Sequence, residues 1–249
     1  MDKLIAELMR LFVPAGTLSP ELLARRALGQ APQTLDLTTP DGQTRAIAVA
    51  FDKGGDSGEA GHWTRLCAAA KALQTEHGFP APAVSVSGGR GYTLWIALEA
   101  PVPAAQAQAF ARLLRRSYFP ELAADAPDEA TALPPCLDPG SGRWAAFIHP
   151  GMGASFAEEP WLEMAPPPLA QAAFLEEVGC VGPALFARAL AALQPAAVAS
   201  AVEAAPGARP AEASRALLLS EATLEDIVRH LHARNIEPTF RHLLPDPER

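Results

Sequence analysis

The run Ser87-Gly88-Gly89-Arg90-Gly91 separates two apolar stretches, Val84-Ser85-Val86 and Tyr92-Thr93-Leu94-Trp95-Ile96-Ala97-Leu98. The β-branched and aromatic flanks have the composition of buried strands, and three glycines around one arginine let the backbone turn sharply and come close to a neighbour. A strand, a glycine turn and a second strand are therefore expected. The turn has the outline of an anion-binding loop, in which the Arg90 guanidinium and several backbone amides face a phosphate, with the Ser87 and Thr93 hydroxyls as further donors. The alternative is a tight hairpin with a solvated arginine.

The flanking segments set the order of elements. Leu4, Ile5, Leu8, Leu11 and Phe12 give the start of the chain an amphipathic helix suited to packing on a core. Ser19-Pro20-Glu21 supplies a cap, a first-turn proline and a first-turn acid for a second helix through Leu28, stopping at Gly29. Residues 33–37 and 45–51 are strand-like with Pro40-Asp41-Gly42 between them, which predicts an antiparallel hairpin ending at Asp52. A helix over 61–78 leads into the glycine-turn strands. Residues 103–118 read as another helix, with Phe110, Leu113 and Leu114 inward and Arg112, Arg115 and Arg116 partly outward. Arg143-Trp144-Ala145-Ala146-Phe147-Ile148 is a last strand, and Pro166-Pro167-Pro168 marks a boundary beyond which the pattern is helical, over 171–178, 184–193, 196–204, 212–219 and 224–234.

At 249 residues and 49% hydrophobic, the chain can bury a sizeable core. A net charge of −8 argues against a protein that coats nucleic acid unspecifically, because such affinity comes from neutralising phosphates. The charge is unevenly spread: Arg90, Arg112, Arg115, Arg116 and Arg143 all fall in the motif-bearing region, whereas Glu158, Glu159, Glu163, Glu176 and Glu177 lie beyond it. Cys67, Cys136 and Cys180 form neither a disulfide framework nor a zinc pattern, which fits a reducing cytoplasm. No segment reads as a signal peptide or a membrane span. His230 and His232 stand two apart on a predicted helix and so do not share a face for a metal.

Taken with Ala46-Ile47-Ala48-Val49-Ala50-Phe51-Asp52, the glycine turn resembles the archaeo-eukaryotic primase superfamily, whose primase–polymerases carry an apolar strand ending in Asp-x-Asp and then Ser-Gly-Gly-(Lys/Arg)-Gly-x-His. Leu133-Pro134-Pro135-Cys136-Leu137-Asp138-Pro139-Gly140-Ser141-Gly142 is similar to the family's Leu-Pro-x-x-x-His-Pro-x-(Ser/Thr)-Gly element, so the likeness spans about the middle half of the chain. The key positions are altered. Ala50 stands at the first metal-binding aspartate with Asp52 at the second, Thr93 stands at the phosphate-contacting histidine, and Asp138 replaces the later histidine. No strand-borne aspartate matches the family's third acidic motif.

The resemblance implies an α+β fold: an RRM-like palm with a mixed or antiparallel sheet and packed helices over 1–165, then a small α-helical C-terminal domain over 169–249. It implies a primase–polymerase-like role in DNA replication or repair, such as that of a mobile element, with nucleotide or single-stranded nucleic acid as ligand. Ser87, Gly88, Gly89, Arg90, Gly91 and Thr93 would bind phosphate, and Arg112, Arg115, Arg116 and Arg143 a strand. Asp52 remains as the metal ligand for Mg or Mn. One carboxylate is a poor cage for two hard cations, so template-dependent nucleotidyl transfer is expected to be weakened or lost. A shifted site of Asp52 and Asp56, with Asp125 or Asp128, would keep the chain an active enzyme; otherwise these are solvated loop carboxylates. A third reading, supported by the acidic balance and the helical tail, is a scaffold or accessory subunit binding a protein partner through 169–249. Trp95, Trp144 and Trp161 are either core residues or platforms for bases, and His62 and His149 are either structural or stand-ins for a missing imidazole.

Overall fold

The computed structural model describes residues 1–31, 35–53, 61–119 and 132–194. Their elements are α1 (Asp2–Leu11), α2 (Pro20–Ala27), β1 (Gln43–Asp52), α3 (Gly61–Thr75), β2 (Ala83–Val86), β3 (Gly91–Pro103), α4 (Ala104–Tyr118), β4 (Cys136–Asp138), β5 (Arg143–Ile148), α5 (Pro168–Glu176), β6 (Cys180–Val181) and α6 (Pro183–Leu193). The fold is α+β. All the described residues fall within one unit, Met1–Val198, and α5 and α6 belong to it along with the sheet. The expected helices beyond residue 194 lie outside the described residues.

Among the described residues the sheet has six strands in the order β1-β3-β2-β5-β4, with β6 alongside β3. Every strand pair is antiparallel except β3 with β6, where Ala97 faces Cys180 and Leu98 faces Val181. Long β3 is the spine. One of its edges carries β1; the other carries β2 opposite Tyr92–Trp95 and then β6 opposite Ala97–Leu98.

Helices cover both faces, which is why the seven residues from Tyr92 to Leu98 are all buried. On one face Val49, Phe51, Tyr92, Leu94 and Ile96 pack with Leu66 and Leu73 of α3, Phe110 and Leu114 of α4, and Phe186 and Leu190 of α6. On the other, Trp95 and Phe147 meet Leu4, Leu8 and Phe12 from the start of the chain, Leu23 of α2 and Leu175 of α5. Period-2 alternation sends successive strand residues into these two cores. The Phe12 ring lies 5.5 Å from Trp95 and 5.8 Å from Phe147, an aromatic knot worth about 0.5–1.5 kcal/mol per pair beyond its area.

Local chemistry bounds α2 where the sequence predicts. The Ser19 hydroxyl accepts from the Leu22 amide ahead of α2, and Gly29 adopts φ +71 after it, where a Cβ would be strained. Among the described residues the expected hairpin of 33–37 with 45–51 is corrected: β1 pairs with β3, and a Thr38–Thr44 bridge joins it to the preceding segment. Asp36 accepts from the Thr38 amide and bends the chain before a ladder can grow, while Gly42, at φ +77, closes the turn onto the Thr39 carbonyl. Gln33 and Thr34 lie outside the described residues.

Two polar side chains join elements across the second core. The Gln171 carboxamide accepts from the Phe147 amide and donates to the Phe147 carbonyl, both at 2.8 Å, so that α5 completes the hydrogen bonding of β5. The Trp95 indole donates to the Ser85 hydroxyl at 2.9 Å, satisfying a group that would otherwise be costly to bury.

Candidate functional site at the glycine turn

β1 and β3 run antiparallel with Ala50 opposite Thr93 and Asp52 opposite Gly91. Positions more than 35 residues apart in sequence thus meet at one end of the sheet. By alternation Asp52 and Thr93 point to the face holding Trp95, whereas Phe51 and Tyr92 point to the other. Thr93 lies between Ala50 and Ser85 and is only 1% exposed; Asp52, the last residue of β1, is half-buried.

The turn itself is tightly self-bonded. The Ser87 hydroxyl accepts from the amides of Arg90 at 2.9 Å and Gly91 at 2.8 Å, and the Ser87 amide donates to the Gly91 carbonyl at 2.9 Å. The Gly88 amide donates to the Pro160 carbonyl at 3.1 Å. The amides of Gly88, Arg90 and Gly91 are thus directed into the protein, which leaves Arg90 and Gly89, both exposed, as the outward part of the loop. Gly88 needs its glycine because it adopts φ +85 against the backbone of Trp144 and Ala145.

Lys53 ties β1 into this corner. Its amide donates to the Arg90 carbonyl at 2.7 Å, and its ammonium donates to the Glu158 carbonyl. The segment after β5 is held against the turn by Trp144 and Leu162, whose amides and carbonyls exchange bonds of 2.8 and 3.1 Å. Beside it the Arg143 guanidinium lies 3.6 Å from the centre of the Trp161 ring. Backbone bonds thus join the segments that carry Lys53 and Arg90 and bring the segment before Trp161 to the same turn.

The remaining sequence candidates are distributed differently. Arg112 and Arg116 are exposed on α4 and Arg115 is buried there, and α4 packs on the Phe51 face, opposite to that of Asp52 and Thr93. Asp56, Asp125 and Asp128 lie outside the described residues. Among the described residues no three His, Cys, Asp or Glu side chains come together as metal ligands. Asp52 alone does not supply the several carboxylate oxygens that a two-metal centre needs. Asp138 instead organises its own turn, accepting from the Gly140 amide and the Ser141 hydroxyl. His149 is exposed and accepts from the Gly151 amide, capping the 3-10 turn Pro150–Phe156.

His62 is the residue whose environment the sequence reading did not anticipate. It is 2% exposed, stacked on Tyr92 at 5.0 Å, and its Nε2 has no hydrogen-bond partner. Burial, reinforced by Lys53 and Arg65, pushes its pKa below the usual imidazole value against the opposing effects of a bond to Ala157 and the charge of Asp52. Its neighbour Tyr92, whose hydroxyl donates to the Gly153 carbonyl, is pushed up to about 12, chiefly by burial. Above the unfolded imidazole pKa of about 6.5 both states of His62 are neutral and stability is unaffected; below it the unfolded chain takes up the proton first, so stability falls. Denaturant midpoints measured from pH 7.5 to 5 should therefore decline below about pH 6.5, and the decline should shrink in His62→Phe, which keeps a ring on Tyr92. An identical decline in both proteins would remove His62 as the cause.

No helix among the described residues is long and apolar enough to cross a membrane. No protein-family model matches the chain, and a comparison with curated proteins returns no match.

Proposed function

We propose that this chain is a divergent primase–polymerase-like protein that binds a nucleotide or a single-stranded nucleic acid end in DNA replication or repair, with template-dependent nucleotidyl transfer weakened or lost. The supporting observation is the register of β1 on β3, which sets Ala50 opposite Thr93 and Asp52 opposite Gly91 beside an exposed Arg90. These are the positions the resemblance assigns to metal and phosphate contacts. They come together here although an alanine and a threonine stand where a carboxylate and an imidazole are expected.

The same geometry favours binding over catalysis. Ala50 offers no ligand to a cation, and a buried threonine hydroxyl carries no charge to set against a phosphate. On this reading the sheet is an RRM-like palm whose broad face is closed by α1 and α5, so that a ligand meets the fold at the end where β1 and the turn emerge.

Titration of the full chain with a nucleoside triphosphate and with short single-stranded DNA tests the proposal. Micromolar binding of at least one is expected, and Arg90→Ala should weaken it about ten-fold or more, the usual effect of removing a charge-assisted contact. No binding of either ligand, or an unchanged affinity in Arg90→Ala, would overturn it. Incorporation of nucleotide with Mg or Mn that disappears in Asp52→Ala would overturn the loss of catalysis while leaving the binding role in place.

A further inference from the structure

Three tryptophans are candidates for stacking on a base, and the fold separates them. Trp95 is 1% exposed within the aromatic knot and Trp144 is 7% exposed. Trp161 is the one that remains partly exposed, and its ring carries the Arg143 guanidinium at 3.6 Å. Pro160, next in sequence, accepts from the Gly88 amide, so the stack adjoins the glycine turn through a backbone hydrogen bond.

We infer that the Trp161–Arg143 stack is the nucleobase platform of the turn, and that it serves a mononucleotide whose phosphates reach toward Arg90. The inference rests on the nucleotide-binding reading above and adds to it which side chains hold the base. A guanidinium held over an indole ring is a preformed cationic surface, and a base stacks on such a surface with little ordering cost. Its position is fixed from both sides. Arg143 begins β5, which is paired to β2 and β4, while Trp161 is anchored by the bonds between Leu162 and Trp144.

The charge around the stack selects a short ligand over a long strand. Glu158 and Glu159 are exposed directly before Pro160, and successive phosphates of a strand crossing them would be repelled. A mononucleotide places its charge on the turn side, near Arg90, and leaves the glutamates in solvent.

Calorimetric titration of the full chain with a nucleoside triphosphate and, separately, with inorganic tripolyphosphate separates the base from the phosphates. The wild type should bind the nucleotide about ten-fold more tightly than tripolyphosphate, in line with the usual contribution of base stacking. Trp161→Ala should bring that ratio to about one while leaving tripolyphosphate affinity unchanged, and Trp161→Phe should keep part of it. Arg143→Lys, which retains charge without the planar stack, should reduce the ratio, whereas Arg90→Ala should weaken both ligands alike. If the nucleotide binds but the ratio survives Trp161→Ala, the platform is refuted and the nucleotide-binding proposal stands. Binding of single-stranded DNA without any of the mononucleotide also refutes the platform. If the wild type binds none of the three, the nucleotide-binding proposal falls with it.

Discussion

Gly91→Ala is expected to destabilise the protein by about 3 kcal/mol or more, the upper end of what overpacking costs. A Cβ at Gly91 would be forced onto the Phe51 carbonyl oxygen and would lie 2.8 Å from the Asp52 Cα, closer than side chains approach backbone. Neither strand can yield easily. Gly91 is held by the Ser87 hydroxyl and Lys53 by the Arg90 carbonyl, so relief means parting β1 from β3 at the corner where Asp52 sits. For a unit of this size each kcal/mol is worth about 2–4 °C, which puts the expected loss in Tm at roughly 6 °C or more. The matched control is Gly89→Ala, two residues away on the exposed side of the same turn, where an added Cβ meets nothing within 4 Å. Its stability should stay within about 0.5 kcal/mol of the wild type. Comparable melting of the two variants would mean that strand crowding is not what requires glycine at 91.

That contrast bears on what the sequence alone conveys. The glycines, read together as a phosphate cradle, do three separate things: Gly88 adopts a left-handed conformation, Gly91 admits a neighbouring strand, and Gly89 is unconstrained by contact. Composition cannot distinguish these, because a glycine required by its own backbone looks the same as one required by a distant strand. The elements themselves were legible. β2, β3, α3 and α4 follow from period and breakers. The partner of β1 was not, since Pro40-Asp41-Gly42 signals a turn without saying how far the ladder behind it extends. Nor was β6, whose two residues carry no periodicity and pair with β3 because α5 delivers them there. The candidate site shows the same division: Arg90 is announced by its motif, whereas the Trp161–Arg143 stack and the unpaired His62 nitrogen arise from contacts between distant segments.

Arg26→Ala should be as damaging as Gly91→Ala, for a reason that begins in a contact spanning 107 residues. Arg26 is 2% exposed, and its guanidinium donates from Nε at 3.0 Å and from Nη2 at 2.7 Å to the Leu133 carbonyl, fixing α2 to the segment that leads into β4. Burial lowers its pKa, yet a guanidinium starts so far above neutrality that it remains charged. Two effects oppose each other on substitution. Removing a buried cation regains its desolvation cost, but the Leu133 carbonyl is left buried without its donors, and alanine leaves a cavity where one of the largest buried side chains stood. The second effect should win, at about 3 kcal/mol for Arg26→Ala and about 1–2 kcal/mol for Arg26→Met, which restores most of the volume but no donor. Urea melts should therefore show the midpoint falling in the order wild type, Met, Ala at unchanged slope. Cys136 supplies a local reporter: it is 1% exposed and its thiol is pushed up chiefly by burial, so it should be inert in the wild type and become labelled by a thiol reagent in Arg26→Ala, as mapped by peptide mass. An Arg26→Met midpoint equal to that of the wild type would show that the carbonyl finds another donor, and that the fork does not hold α2 to the strand behind it.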